Sequence, residues 1–358
     1  MRNLKSLLAG SIVLFSTACS ESKQQASSIS SPVPSQEIVT GFVQDVVIPS
    51  YQDLAEKSAA LHLAAQDLAQ APSEERLTAA RAAWVAARVP WEQSEAFLFG
   101  PVFTYGYDPA LDSWPLDHGG LSLAINAYQS GQSLDAADPN LKGFHAIEFL
   151  LFGYERKKTL ADFNQQEFAY LSALTQNHQD VSEHIVTAWQ SGVEGQKPFG
   201  AAMISAGSPD NALYASASGA LQELLEGMVG IADEVANNKI AQPFNQANPN
   251  LIESQFSFNS LLDFKDNVLS IRNVYRGSRD GHVAANSLSA FVAKQNPDLD
   301  QRISQAITKA HDALGAIPGT FREAILEPSA HGSITAAQED LRALQKILDQ
   351  ELRPLLFR

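Results

Sequence analysis

The sequence has a single cysteine, Cys19, in 358 residues. An internal disulfide bond is therefore excluded, as is a Cys-x-x-Cys metal or redox site. Basic residues are also scarce: 25 lysines and arginines stand against 40 aspartates and glutamates, which gives a net charge of −15. An acidic chain without a basic patch is not expected to bind nucleic acid.

Patterns typical of β-structure are missing as well. The sequence shows no run of alternating apolar and polar residues of any weight and no Asn-Gly hairpin turn. It also lacks His-Glu-x-x-His, the two-histidine motif of zinc proteases. What is present is a globular composition, with 45% hydrophobic and 18% charged residues. Because apolar side chains recur at helical spacing from residue 36 onward, the sequence predicts an all-α fold.

The start of the chain resembles a bacterial lipoprotein signal peptide. Residues 1–18 combine a positively charged start with an apolar run that is too short to span a membrane. Residues 16–19 (Ser-Thr-Ala-Cys) resemble a lipobox, so Cys19 is the predicted site of lipid attachment, with ordinary cleavage nearby as the alternative. Because Ser20 follows the cysteine, resemblance to Gram-negative lipoproteins favours the outer membrane, with the protein facing the periplasm.

Composition also divides the rest of the chain. Residues 19–35 are rich in serine, glutamine and proline, and we expect them to form a disordered tether. Residues 191–198 have the composition of a linker. The predicted organisation is therefore an N-terminal helical bundle over residues 36–195 and a C-terminal helical bundle over residues 196–358, in a chain that we expect to be a monomer.

The most informative segment spans residues 140–153. Asn140 and Gly153 stand where a helix would begin and end, and residues 143–152 are apolar except for His145 and Glu148. Their i, i+3 spacing places both side chains on one helix face, and their neighbours indicate burial. Because a buried carboxylate needs a partner, two interpretations stay open: a His–Glu pair that stabilises the core, or part of a metal site.

Acidic residues before and after an apolar run add further candidates. Glu92 is interpreted as a solvated surface residue, whereas Glu95 directly precedes four apolar residues and is a candidate for the site. Residues 101–118 lack periodicity and are predicted to form a long aromatic loop, a kind of segment that is often functional. Asp112, Trp114 and Asp117 in this loop could reach a site; an Ω-loop packed by its own aromatic residues is the alternative.

Two other features have ordinary explanations. His178 and His184 lie among polar residues of a predicted helix over residues 162–190, and we expect both to be exposed. A predicted helix over residues 253–277 carries polar residues at intervals of three and four. A polar stripe usually faces solvent. Because the other face of this helix is apolar, the stripe could instead line a cleft between the two halves. Its members are Ser257, Ser260, Asp263 and Asn267.

Four separated blocks together resemble the imelysin-like proteins. The blocks are residues 83–100 (with Arg88-Val89-Pro90-Trp91-Glu92-Gln93-Ser94-Glu95), 112–116 (Asp-Ser-Trp-Pro-Leu), 143–148 (Gly-Phe-His-Ala-Ile-Glu) and 253–277. Gly143, His145 and Glu148 match that family's Gly-x-His-x-x-Glu motif, and the resemblance covers roughly residues 36–355. It implies an all-α fold of two four-helix-bundle-like halves with a site at their interface, and a cell-envelope protein that is often a lipoprotein.

The resemblance also implies which residues form the site. By matching position, His145 and Glu148 are its core, and Glu95 and Asp112 complete the expected set of metal ligands. Carboxylate-rich sites suit iron, and mixed histidine and carboxylate sites also suit zinc or manganese. We therefore expect a divalent or ferric ion, with iron favoured and zinc as the alternative. The residues expected to line the site are Trp84, Arg88, Trp114, Ser257, Ser260 and Asp263.

The imelysin-like family is associated with iron uptake and is also classed with the metallopeptidases, so three hypotheses follow. The favoured one is a lipoprotein that binds iron, or a ferric chelate, and works with iron-uptake components. The second is a metal-dependent peptidase with Glu148 as its base, but only His145 would then remain as a local ligand. The third is a binding module without metal, in which the His145–Glu148 pair is structural and the cleft binds a protein or polymer.

Overall fold

The computed structural model describes residues 32–129 and 131–357. The predicted signal peptide at residues 1–18, the predicted lipid-attachment residue Cys19 and the tether up to residue 31 lie outside these described residues. Within them the chain forms helices and no β-strand, which confirms the all-α prediction. No helix in this part of the chain combines the length and the apolar character needed to cross a membrane.

Helices follow one another along the described chain. The earlier ones are α1 (Ser35–Gly41), α2 (Ile48–Gln70), α3 (Glu74–Glu92), α4 (Pro101–Thr104), α5 (Tyr107–Asp112), α6 (His118–Ala127), α7 (Gly143–Phe152), α8 (Gln165–Gln190) and α9 (Phe199–Ile204). The later ones are α10 (Ala217–Glu234), α11 (Ala241–Gln246), α12 (Ser260–Arg276), α13 (Leu288–Gln295), α14 (Pro297–Gly315), α15 (Phe321–Ala324), α16 (His331–Ile347) and α17 (Arg353–Leu356). Short π-helical turns, among them Val235–Lys239, lie between some of them.

The long helices pack in two groups of four. The first helix group consists of α2, α3, α7 and α8, and each member contacts two others in a closed arrangement. The second helix group, formed by α10, α12, α14 and α16, closes in the same way. The groups meet where α3 packs on α12 and where the turn Glu95–Phe97 packs on α10. Because α1 also packs on α10, the chain crosses between the groups more than once, and the boundary expected near residue 195 stays a prediction.

Local sequence accounts for the course of α3. The hydroxyl of Ser73 accepts a hydrogen bond from the backbone N–H of Arg76 at 3.2 Å and thereby caps the N-terminus of the helix. Apolar residues at helical spacing, including Leu77 and Trp84, are buried on one face. The helix contains Pro90 and ends only at Glu92. This last turn carries charged side chains to the junction of the two helix groups.

Two stretches differ from the prediction. The expected loop over residues 101–118 contains the short helices α4 and α5. The expected helix over residues 253–277 begins only at Ser260, because residues 253–259 take an irregular path with positive φ angles of 52° at Ser254 and 64° at Phe258. Since this irregular segment has no helical hydrogen-bond ladder, its backbone N–H groups are free to bind other acceptors.

Candidate functional site

The candidate site lies where the two helix groups meet. Arg88 comes from α3, Asp112 from the end of α5, His145 and Glu148 from α7, and Glu253 from the irregular segment before α12. The side chains of His145 and Glu148 are fully buried, and that of Glu253 is 13% exposed. The fold thus gathers charged groups from four separated parts of the sequence around one histidine.

His145 is the centre of this arrangement. Its Nδ1 lies 3.0 Å from Oε2 of Glu148. Its Nε2 lies 3.2 Å from Oδ1 of Asp112 and 3.7 Å from Oε1 of Glu253, without hydrogen-bond geometry to either. When Nδ1 donates to Glu148, a neutral imidazole presents its Nε2 lone pair to these two carboxylates. Trp114 packs edge-on against the ring, with the ring centroids 4.9 Å apart.

Glu148 anchors the imidazole from the opposite side. Its Oε1 accepts hydrogen bonds from the backbone N–H groups of Phe256 (3.0 Å) and Ser257 (2.7 Å) and from the Ser257 hydroxyl (2.7 Å). Both carboxylate oxygens of Glu148 are therefore engaged by protein donors. A carboxylate that holds the second nitrogen of a ligating histidine is a recurrent feature of metal sites, and this geometry makes Glu148 the residue that orients His145.

Arg88 holds together the carboxylates that face His145. Its guanidinium donates short hydrogen bonds to Asp112 and Glu92 and reaches Oε1 of Glu253 at 3.3 Å. Its Nε lies 3.6 Å from Oδ1 of Asp263. Burial alone lowers the pKa of Arg88, but the surrounding carboxylates, with Asp112 first among them, outweigh it and raise the pKa. The guanidinium is therefore a permanent positive charge in the site.

Asp112 and His145 shift each other's ionisation. Burial raises the pKa of Asp112, but Arg88 and His145 lower it far below its usual range. Burial likewise lowers the pKa of His145, but the nearby carboxylates of Asp112, Glu148 and Glu253 outweigh burial and raise the pKa well above the usual value. Oδ2 of Asp112 also accepts a hydrogen bond from the Trp91 indole at 2.6 Å. By itself the protein thus favours an imidazolium between ionised carboxylates.

Glu95 joins the site through a lysine that was not predicted. Nζ of Lys239, at the end of the π-helical turn after α10, lies 3.6 Å from Oε1 of Glu95 and 3.2 Å from Oε2 of Glu253. Burial raises the pKa of Glu95 to about 8, even though Lys239 lowers it. The pKa of Glu253 falls to about 2, because Lys239 and His145 outweigh the effect of burial. The two glutamates therefore differ in charge near neutral pH.

Glu92 was expected at the surface, and this expectation is wrong. The side chain is fully buried and accepts hydrogen bonds from Arg88 and, at 2.5 Å, from the amide of Asn267 on α12. The i, i+4 spacing of Arg88 and Glu92 was the available signal, since such a pair supports a helix wherever it lies. Burial followed from the packing of α12 on α3, which no local pattern indicates. Glu253 was missed for the same reason, although it begins one of the four blocks.

His178 was also expected to be exposed, but it is buried, with 1% of its surface accessible. Its ring packs edge-on against Phe144 at a centroid distance of 4.2 Å, and burial lowers its pKa to about 3. The polar neighbours of His178 point to other faces of α8, which misled the sequence-based expectation. His184 is exposed, as expected.

The residues predicted to line the site make different contacts. Trp84 donates a hydrogen bond to the Phe144 carbonyl at 3.0 Å and thereby packs α3 on α7. Ser257 binds Glu148, whereas Ser260 donates to the Glu253 carbonyl. The whole polar stripe is buried, so its interpretation as a solvent-facing surface is wrong and it lies at the junction of the helix groups. Its members Ser257, Ser260, Asp263 and Asn267 are at most 6% exposed.

The positions of the predicted ligands separate into two sets. Ligand atoms of Asp112, His145 and Glu253 lie within 4.8 Å of one another, as do those of Glu92, Glu95 and Asp112. Asp112 belongs to both sets, and Glu95 belongs to the second. Glu148 faces the far nitrogen of His145 and belongs to neither.

Comparison with known proteins shows the family to which the chain belongs. Residues 47–348 match the imelysin family, and the chain belongs to that family. It is 37% identical over 321 residues to iron-regulated protein A of Synechococcus elongatus, covering 89% of this chain and 86% of that protein.

Solved structures support the same relationship. A protein of Parabacteroides distasonis, named as an iron-regulated protein A precursor, has a crystal structure that is similar to this chain with a TM-score of 0.81 and 32% identity, covering 90% of this chain and 95% of that one. An imelysin-like protein of Psychrobacter arcticum has a TM-score of 0.73 at 17% identity, with 90% and 95% coverage, and shows the shared fold.

Proposed function

We propose that this imelysin-family protein binds a metal cation, with iron favoured, through Asp112, His145 and Glu253, and that it serves iron uptake. The observation that carries the proposal is the buried Nε2 of His145. Within residues 32–129 and 131–357 this atom has no hydrogen-bond partner, and it faces two carboxylate oxygens at 3.2 and 3.7 Å. A buried ring nitrogen without a hydrogen-bond partner is unfavourable, and a cation shared with the two carboxylates would satisfy it.

The donor set suits the proposed ion. Two carboxylates and one imidazole match iron, and they also suit zinc or manganese. In this proposal Glu148 is an orienting residue, because it keeps the proton on Nδ1 of His145 and leaves Nε2 free for the ion. This orienting role of Glu148 differs from the role of direct metal ligand that the family resemblance implied.

The charge balance supports a cation as well. Six carboxyl groups surround two permanent cations, Arg88 and Lys239; the six are Glu92, Glu95, Asp112, Glu148, Glu253 and Asp263. Uncompensated negative charge is unfavourable in a buried site. Burial raises the pKa values of Glu95 and Asp263, and the neighbouring carboxylates raise that of His145, so these groups favour taking up protons in the protein alone. A divalent or trivalent ion would replace these protons.

The link to iron uptake draws on the relatives. Iron-regulated protein A is, by its name, controlled by iron in its own organism, which is consistent with a role in iron supply. The proposed location is the outer membrane facing the periplasm, with a lipid anchor at Cys19. This location would place the site where iron enters a Gram-negative cell.

A matched pair of variants tests the site. His145→Gln and His178→Gln make the same change at two buried histidines, of which only His145 faces carboxylates. Equilibrium dialysis against Fe²⁺, Zn²⁺ and Mn²⁺, with metal analysis, should give about one ion per chain for the wild type and for His178→Gln. We expect His145→Gln to lose the ion while its far-UV circular dichroism is unchanged.

Other outcomes separate the competing hypotheses. If His145→Gln retains the ion, the metal site lies elsewhere in the protein. If the wild-type protein binds none of the three ions, the proposal is refuted. A peptidase would cleave peptides in a chelator-sensitive manner, with the activity lost in His145→Gln. Binding without cleavage is the result that the proposal predicts.

A further inference from the structure

A cavity of about 610 Å³ opens to the surface beside the site. One face of α10 lines it, where Gly227, Gly230 and Glu234 follow at helical spacing, and Phe103 of α4 and Phe199 of α9 line it elsewhere. The volume lies within the range of small-molecule pockets, roughly 300–1,000 Å³. The cavity is therefore wide enough to admit a hydrated ion.

Glu95 connects this cavity to the buried site. It lies in the cavity wall, and its carboxylate belongs to the same 4.8 Å group as those of Glu92 and Asp112. Asp112 in turn faces the unpartnered, fully buried Nε2 of His145. A continuous series of ligand atoms thus leads from the cavity to the histidine.

A glycine of α10 makes this connection sterically feasible. A Cβ atom at Gly227 would lie 1.9 Å from the carbonyl oxygen of Ala96. Only glycine therefore lets α10 pack directly on the turn Glu95–Phe97. The close approach places Glu95 and Glu234 in the wall of the same cavity.

The charge of the cavity indicates what can enter it. Among the described residues, its lining includes no lysine or arginine but does include the four glutamates Glu95, Glu223, Glu226 and Glu234. Three of them have partners: Glu223 accepts a hydrogen bond from Tyr214 and Glu226 pairs with Arg353, each at 2.6 Å, and Glu95 lies 3.6 Å from Lys239. A cleft lined by one sign of charge concentrates counter-ions and speeds their association. This cavity therefore favours cations and repels anionic chelates.

We propose that the cavity is the entrance through which the metal reaches Asp112, His145 and Glu253, and that the metal enters as a hydrated cation rather than as an anionic chelate. Glu95 is the first buried carboxylate that the ion meets. The inference rests on the proposed metal binding and adds the route and the chemical form of the ion.

A bulky side chain at position 230, in the wall of the cavity, tests the route. A Cβ atom there has no neighbour within 4 Å, so Gly230→Phe adds bulk in open space, and Gly230→Ala is the matched control. Anaerobic Fe²⁺ binding can be followed by stopped-flow quenching of tryptophan fluorescence, because Trp91 and Trp114 contact Asp112 and His145. We expect Gly230→Phe to slow association and dissociation alike by about tenfold, which corresponds to ~1.4 kcal/mol of barrier. The Kd should not change, and Gly230→Ala should behave as the wild type does.

Charge variants test the form of the ion. Glu234→Gln should lower the association rate and weaken its salt dependence, because long-range attraction is screened by salt. Glu339→Gln changes an exposed acid on α16 that does not line the cavity, and it should change neither quantity. At equal total iron, ferric citrate should associate more slowly than Fe²⁺ with the wild type.

The failures can be told apart. If wild-type protein and Gly230→Phe bind Fe²⁺ at the same rate, the entrance lies elsewhere. This result would leave the proposed metal site unaffected. If ferric citrate associates faster than Fe²⁺, the cavity does not select cations. If wild-type protein binds no metal at all, the proposed function fails and the entrance fails with it.

Discussion

Replacing Glu148 with glutamine tests how the histidine is oriented. In the wild type, one carboxylate oxygen accepts from Nδ1 of His145 and the other accepts three hydrogen bonds from Phe256 and Ser257. A glutamine has one acceptor oxygen and one amide nitrogen. If the oxygen keeps the three donors, the amide nitrogen faces Nδ1 of His145. Nδ1 must then give up its proton, and the ring is protonated on Nε2 alone.

Two magnitudes follow from this geometry. Hydrogen bonds to charged groups contribute roughly 1.5–3 kcal/mol each and neutral ones roughly 0.5–1.5 kcal/mol, so weakening three of them costs about 3–4.5 kcal/mol. The easier burial of a neutral group offsets part of this cost, and we expect the free energy of unfolding to fall by about 2–3 kcal/mol. A proton on Nε2 of His145 also blocks the proposed ligand position. Loss of an orienting partner of this kind typically lowers metal affinity by about 10–100-fold.

The assay for Glu148→Gln combines three measurements on the same protein. Urea unfolding gives the change in stability, metal dialysis gives the change in affinity, and ¹⁵N chemical shifts of His145 identify which ring nitrogen carries the proton. The reasoning is refuted if the variant keeps its proton on Nδ1, or if its metal affinity stays within about twofold of the wild-type value while it remains folded.

The other predictions concern charge in and near the site. Arg88→Met leaves buried carboxylates without their partner and should destabilise the metal-free protein by about 3–5 kcal/mol in urea unfolding, with part of this loss recovered on addition of metal. Lys239→Met removes a cation 3.2 Å from Glu253, and calorimetric titration should show metal affinity rising by roughly tenfold, whereas a decrease would contradict the proposed site. The folded-state pKa of His178 is lowered from 6.5 to about 3 by burial. As pH falls below 6.5, this histidine takes up a proton in the unfolded chain but not in the folded protein. The free energy of unfolding therefore decreases between pH 6.5 and about pH 3, by roughly 2.7 kcal/mol at about pH 4.5. His178→Phe should remove this component of the pH dependence, and an unchanged acid slope in this variant would show that the histidine is not buried in its neutral form.

Much of the fold was readable from local pattern. Apolar residues at helical spacing predicted the all-α fold that the described residues show. The His145–Glu148 spacing predicted a buried pair on one helix face, and the two side chains lie 3.0 Å apart. These features depend on residues three or four positions apart, whose relative placement is determined by helix geometry alone.

The membership of the site was decided by tertiary packing. Glu148 binds Ser257, which is 109 residues away, and the buried Glu92 binds Asn267, which is 175 residues away. Sequence alone identified the polar stripe that includes Ser257 and Asn267, but left its environment open. A helical pattern determines which face of a helix is polar or apolar, whereas the element that covers this face depends on how distant helices pack. For that reason local spacing predicted the His145–Glu148 pair, whereas the packing of distant elements brought Glu253 and Lys239 into the site, and neither of them was predicted.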